Sequence, residues 1–224
     1  MQISKLSTGN ATDELLNGGL ENDVTTTVYG PPGSGKTLFC MHCCIQCVKN
    51  GKNVIYVDTE GGFSPERLKQ IDPNYEETLK KILFMRPVNF AEQRRVFSKL
   101  KDVSTSKIGL IVVDTISMLY RLELGISENY ELIRELGSQV ASLTEIARVK
   151  NIPILITNQV YAKFDSPEQV KMVGGDLLKY GSKCIIELQA LHGKRRKAIV
   201  RKHRSIEAGK ETMFEIVSKG IEKT

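Results

Sequence analysis

An α/β fold, with a mostly parallel sheet flanked by helices and an antiparallel C-terminal extension, is predicted by three features of this 224-residue sequence. Apolar runs of strand length, 24–29, 53–58, 110–114 and 152–157, alternate with stretches of helical periodicity, as βα units do. The first run leads into Gly30-Pro31-Pro32-Gly33-Ser34-Gly35-Lys36-Thr37, which meets G-x-x-x-x-G-K-[ST] at each required position and opens a helix. From Cys184 onward the helical stretches cease, and strands over 184–190, 197–203 and 212–217 are joined by short turns.

The composition, 41% hydrophobic and 26% charged, is that of a globular chain with its own core, and one domain over residues 1–224 is expected, with no separate N-terminal DNA-binding domain. No uncharged apolar run approaches the length of a membrane span. Met1 to Gly9 lacks the apolar segment of a secretory signal, so a cytoplasmic, nucleoid-associated protein with reduced thiols is expected. A net charge of +6 permits a polyanionic partner without identifying one.

In chain order, Thr12 to Leu20 reads as a short capped helix ended by Gly18 and Gly19. In the glycine-rich loop, backbone N–H groups turn inward around phosphate, and the following helix adds its N-terminal dipole. Lys36 is expected to reach the β- and γ-phosphates and the Thr37 hydroxyl to ligate Mg²⁺, which implies binding of a nucleoside triphosphate. That helix carries Cys40, Cys43, Cys44 and Cys47. A zinc site does not fit them: at i, i+3, i+4 and i+7 they form a stripe about 10 Å long, whereas four thiolates must converge at about 2.3 Å from one metal. They extend the apolar stripe of Phe39 and Val48 toward the sheet, with His42, Gln46, Lys49 and Asn50 expected on the opposite face.

The strand over 53–58 ends in Asp58-Thr59-Glu60-Gly61-Gly62-Phe63 at the C-terminal sheet edge, where open α/β sheets bind ligands, so Glu60 is placed near the phosphates. Pro65 suits the first turn of the next helix; a strand over 81–85 and a helix over 89–100 follow. Asp114 ends its apolar strand as a metal-side carboxylate does, although a turn cap fits the same residue. The longest helical stretch, 127–150, has Leu132, Leu136, Val140, Leu143 and Ala147 on its core face. Asn158-Gln159 follows the strand over 152–157, and the Gln159 amide is a candidate γ-phosphate sensor.

From Val160 to Val173 the chain reads as an irregular polar loop holding Tyr161, Lys163, Phe164 and Lys171, closed by Gly174-Gly175. The basic excess gathers on the later hairpin, at Lys194, Arg195, Arg196 and Lys197 with Arg201, Lys202 and Arg204 behind. Contact with DNA phosphates explains that clustering; a solvated turn whose cations blunt an edge strand explains it too.

Taken together, the P-loop, Ser7-Thr8-Gly9, Leu15-Leu16-Asn17-Gly18-Gly19, Asp58-Thr59-Glu60-Gly61 with Phe63, Pro65-Glu66-Arg67-Leu68, Asp114, Asn158-Gln159-Val160 and Gly174-Gly175 resemble the RecA superfamily of recombinases, above all its archaeal branch. The resemblance covers nearly the whole chain and implies a RecA-like ATPase core using ATP and Mg²⁺. By it, Glu60 orients the attacking water, Arg67 stacks on adenine, Gln159 senses the γ-phosphate, and the 160–173 segment, with Lys163 and Lys171, contacts DNA, single-stranded by the same comparison.

The sequence also departs from that family. Too few residues precede Ser7 for the helical N-terminal domain and the Phe-x-x-Ala polymerisation segment of full recombinases; Tyr180 stands in place of a histidine, and Ser205-Ile206-Glu207-Ala208-Gly209 lacks the proline of their ATP cap. The resemblance therefore implies an ATP- and DNA-binding accessory protein of homologous recombination and DNA repair, a weak Mg-dependent ATPase that modulates the main recombinase and could form a homo-oligomer. The alternatives are a fully competent DNA-dependent ATPase and strand-exchange recombinase, or a KaiC-like signalling ATPase on the same fold.

Overall fold

The chain, a computed structural model, describes residues 4–124, 130–163 and 166–224, with the backbone alone for 161–163 and 166–171. In order, β1 (Lys5–Leu6), α1 (Thr12–Leu15) and β2 (Leu20–Glu21) precede β3 (Thr25–Tyr29) and α2 (Lys36–Lys49). Next come β4 (Asn53–Asp58), α3 (Pro65–Ile71), α4 (Tyr75–Lys80), β5 (Ile82–Met85), α5 (Phe90–Val103), β6 (Ile108–Asp114), α6 (Met118–Leu124) and α7 (Tyr130–Lys150). The chain goes on through β7 (Ile154–Asn158), β8 (Val160–Lys163), β9 (Ser166–Met172), α8 (Gly175–Gly181), β10 (Cys184–Ala190), β11 (Arg195–Lys202), β12 (Glu211–Val217) and β13 (Gly220–Lys223).

Apolar character on both faces of the central strands is what a sheet covered on both sides requires, and the burial follows it. Val54 and Tyr56 of β4, Leu110 and Val112 of β6, and Leu155 of β7 enter one core with α2. Their neighbours Ile55, Val57, Ile111, Val113, Ile154 and Ile156 point through the opposite face into a second core with α5, α6 and α7. The nine-stranded sheet has the order β13-β12-β11-β10-β3-β7-β6-β4-β5. Neighbours from β10 to β5 run parallel, and β10 through β13 pair antiparallel, which is the predicted parallel core with its antiparallel extension.

Local chemistry sets the helix ends. Pro65 sits in the first turn of α3, whose cap Ser64 accepts the Arg67 N–H at 3.1 Å. Asn89 caps α5 through the Glu92 N–H at 2.8 Å, while the Glu92 carboxylate takes the Val88 N–H at 3.0 Å. The cysteines of α2 are all buried, as the apolar-stripe reading expected. The expected polar face of that helix is corrected in part: His42 is buried, because β13 crosses that side, and its Nε2 accepts the Ile221 N–H at 3.2 Å.

Six elements lie outside the sequence reading: β1, β2, α4, α6, α8 and β13. A further correction concerns residues 160–173, expected as an irregular loop. Here β8 and β9 pair antiparallel with Val160 opposite Met172 and Tyr161 opposite Lys171. The base of this hairpin is fixed by Asn158 Nδ2 donating to the Val173 carbonyl at 2.8 Å and by Val160 and Met172 packing with Tyr29 and Ile185. Lys163 and Lys171 lie on its strands; Phe164 and the first residues of the predicted 127–150 helix, 127–129, lie outside the described residues. Among the described residues no helix is long and apolar enough to cross a membrane.

Candidate functional site

The strand order brings the polar strand ends together. Because β3, β7, β6 and β4 are successive parallel neighbours, the loop after β3, Gln159 after β7, Asp114 ending β6 and Glu60 after β4 all emerge at one sheet edge. They line a cavity of about 450 Å³ with Pro32, Gly33, Gly35, Lys36, Thr37, Leu38, Arg67, Arg196 and Ile216.

The loop has no room for bulkier residues at Gly30, where a Cβ would lie 2.2 Å from the Leu188 carbonyl oxygen. Gly35 caps α2 with φ 102°, a left-handed conformation that favours glycine, and no side chain caps the helix. The first-turn N–H groups of α2 therefore have neither an intrahelical acceptor nor a capping side chain, the arrangement that binds anions. Ser34 Oγ is buried within the same loop with no hydrogen-bond partner in the protein. These features fit a phosphate chain.

Lys36 Nζ donates to the Gly30 and Pro31 carbonyls at 2.9 and 3.0 Å. Burial pushes its ammonium below the ordinary lysine range, and the nearby Glu60 and Asp114 carboxylates oppose that push. Asp114 is buried, with Tyr56 Oη donating to one oxygen at 2.8 Å and Thr157 Oγ1 donating to the other. Burial and the Asp114 charge raise the Tyr56 phenol well above its usual range, so it remains a donor. A carboxylate held this way fits the water shell of Mg²⁺, and Thr37 lines the same cavity.

Glu60 is exposed yet positioned: its Oε1 accepts from Thr115 Oγ1 at 2.8 Å and from Gln159 Nε2 at 2.6 Å. Thr115 is held in turn, its N–H donating to Thr59 Oγ1 at 3.0 Å and its carbonyl accepting the Thr59 hydroxyl at 2.7 Å. Three strand ends thus converge on one carboxylate that can accept a hydrogen bond from water. Arg67, on α3, reaches across to the turn between β12 and β13, donating to the Val217 carbonyl at 2.6 Å and the Ser218 carbonyl at 2.9 Å. With Ile216, whose Cδ1 would lie 3.0 Å from a Cβ at Gly35, it walls one side of the cavity.

The basic hairpin divides. Lys194 and Arg195 are exposed; Arg195 lies 3.9 Å from Glu215, and Lys197 pairs with Glu211 at 3.2 Å. Arg196 turns inward, its Nε donating to the Gly33 carbonyl at 2.9 Å. Arg201 also turns inward, to Glu187, which accepts from Tyr29 and Gln189 as well. Burial alone would raise the Glu187 pKa, but the bonds from Gln189, Arg201 and Tyr29 outweigh it and hold the carboxyl below its ordinary value.

Sequence reasoning missed Tyr56, Thr115, Thr157 and Ile216 as parts of the site. Tyr56, Thr157 and Ile216 look like strand residues of the core, and only Thr115, beside Asp114, carried a sequence signal.

A parallel-sheet core with a P-loop, a buried Asp114 and a positioned Glu60 defines a RecA-like P-loop fold. The Rad51 family profile matches residues 1–224, and the chain belongs to that family. It is 45% identical over 213 residues to the DNA repair and recombination protein RadB of Methanococcus maripaludis, covering 94% of this chain and 96% of the relative. The RadB of Methanocaldococcus jannaschii is 44% identical, covering 93% and 97% of the two chains. A crystal structure of the RadB recombinase superposes with a TM-score of 0.84 at 40% identity, covering 98% of this chain and 99% of that one.

Proposed function

We propose that this chain is an ATP- and DNA-binding accessory protein of homologous recombination and DNA repair, a weak Mg-dependent ATPase that modulates the main recombinase. The observation that carries the reading is the bond from Gln159 to Glu60 beside the P-loop, one residue before the β8–β9 hairpin begins. Lys36 and the first-turn N–H groups of α2 hold the phosphates, and Thr37 and Asp114 hold Mg²⁺ through its oxygen shell, which supplies charge neutralisation at the γ-phosphate. Glu60 accepts a hydrogen bond from the attacking water. Gln159, bonded to Glu60 and leading into β8, links the phosphate side to the hairpin that contacts single-stranded DNA.

RadB relatives at 37–45% identity, whose names state DNA repair and recombination, support the pathway. Weak turnover is supported by Tyr180, 84% exposed on α8 where the recombinases place a histidine. The reading places one ATPase domain in the cytoplasm, at the nucleoid, with Arg67 against adenine and Lys163, Lys171, Lys194 and Arg195 toward DNA, while Arg196 turns to the Gly33 carbonyl and Lys197 pairs with Glu211.

The test measures single-stranded DNA binding against salt with ATP, with ADP and without nucleotide, alongside ATP turnover and electron microscopy. DNA binding with slow turnover and no long filaments is expected. Long filaments with rapid turnover would establish a strand-exchange recombinase instead, and no DNA binding at low salt would overturn both. Lys36→Ala is expected to remove nucleotide binding.

A further inference from the structure

Arg196 stands apart from the other cations of its hairpin. The turn before β11, with Gly193 at φ 66°, is closed by the Leu191 N–H donating to the Arg195 carbonyl at 3.0 Å. This sets the register in which Arg196 faces the loop after β3. The guanidinium donates from Nε to the Gly33 carbonyl at 2.9 Å and from Nη1 to the Gly193 and Arg195 carbonyls at 2.9 and 2.7 Å. All three acceptors are neutral. Its neighbours in sequence each have a carboxylate, Glu215 for Arg195 and Glu211 for Lys197, whereas Arg196 has no ion pair among the described residues. It is half-buried and lines the same cavity as Lys36, Thr37, Glu60 and Asp114.

Two physical points follow. A partly desolvated guanidinium bonded only to carbonyls retains most of its charge for an anion, and its planar fork matches phosphate oxygens two at a time. The Gly33 side of the loop is also open, since a Cβ there would meet nothing within 4 Å, so the guanidinium and an anionic oxygen can share that space.

We propose that Arg196 is a phosphate ligand of the nucleotide, supplied by the same chain from β11, and that it is not one of the hairpin's contacts to nucleic acid. This rests on the ATP-binding reading above. It assigns the hairpin two jobs, with Arg196 on the nucleotide side and the exposed Lys194 and Arg195 on the outer side.

The experiment is equilibrium binding of a fluorescent ATP analogue across a range of salt concentrations, for the unaltered chain and for Arg196→Ala, Arg196→Lys, Lys36→Ala and Lys210→Ala. Lys210 is exposed and lies outside the cavity lining, so Lys210→Ala removes the same charge elsewhere. Arg196→Ala is expected to weaken binding roughly tenfold or more, as loss of a charge-assisted bond does, and to make affinity less salt-dependent. Arg196→Lys should recover part of both, and Lys210→Ala should stay within twofold of the unaltered chain. A brace that only shapes the loop would leave the salt dependence unmoved, and that outcome overturns the proposal, as does unchanged affinity in Arg196→Ala. Urea midpoints within error of the unaltered chain exclude misfolding as the cause of a loss. If the unaltered chain fails to bind the analogue, the ATP reading itself falls and takes this one with it; if it binds and only Lys36→Ala loses affinity, this inference alone fails.

Discussion

At His42, burial beneath β13 lowers the imidazole pKa to about 4, with the Arg67 charge adding to the shift. A histidine depressed in the folded state binds its proton more readily when unfolded, so its contribution to stability is intact above pH 6.5 and is lost as pH falls toward 4. Between pH 7 and pH 5 we expect the unfolding free energy to drop by about 2 kcal/mol more in the unaltered chain than in His42→Gln, read by urea titration at both pH values. At Asp114 the expectation concerns chemistry. Tyr56→Phe removes a buried donor to the carboxylate, at a cost of about 1.5–3 kcal/mol in stability. It should also weaken Mg²⁺-dependent nucleotide binding while leaving binding in EDTA unchanged; equal losses in both buffers would remove Asp114 from the metal side. Lys36, Thr37, Asp114 and Glu60 were legible because each sits at a fixed place in a motif or at a strand end. Tyr56 and Thr157 were not, since their bonds to Asp114 span 58 and 43 residues and depend on which strands become neighbours.

Among the elements, the β3–loop–α2 unit was legible apart from the buried His42 face, because glycine spacing and a β-rich approach are local signals. It is also tightly constrained by packing at its first glycine. A methyl group at Gly30 would press on the backbone oxygen of Leu188 in β10, a residue paired with Ala198 of β11. Gly30→Ala is therefore expected to lower the thermal midpoint and the nucleotide affinity together, whereas Gly33→Ala, which meets nothing within 4 Å but sits at φ 73°, should show a smaller loss in both. The β8–β9 hairpin was misread as a loop because its polar composition hides the pairing, and its anchor, Tyr29 with Ile185, comes from strands elsewhere in the chain. The short α4, α6 and α8, each of six or seven residues, carry too few turns for a helical period to register.

For the molecule as a whole, the positive charge seen as one cluster in sequence is distributed by the fold. Glu211 engages Lys197 at 3.2 Å, Glu187 engages Arg201 and Glu21 engages Arg204, whereas Lys194 and Arg195, the latter 3.9 Å from Glu215, stay exposed as the outward pair. Neutralising those two should reduce the salt slope of DNA binding by about two, and adding Lys197→Ala should change it little further. An equal drop for Lys197→Ala alone would mean that its pair with Glu211 opens on DNA.

The wall of the P-loop cavity is closed by Arg67 donating to Val217 and Ser218, bonds that span 150 and 151 residues. A ribosome must therefore deliver the P-loop long before it delivers the residues that finish the pocket around it. Completion of the pocket becomes a late event in the birth of each molecule, and a chain stalled partway through synthesis would expose the P-loop without the wall that Arg67 closes.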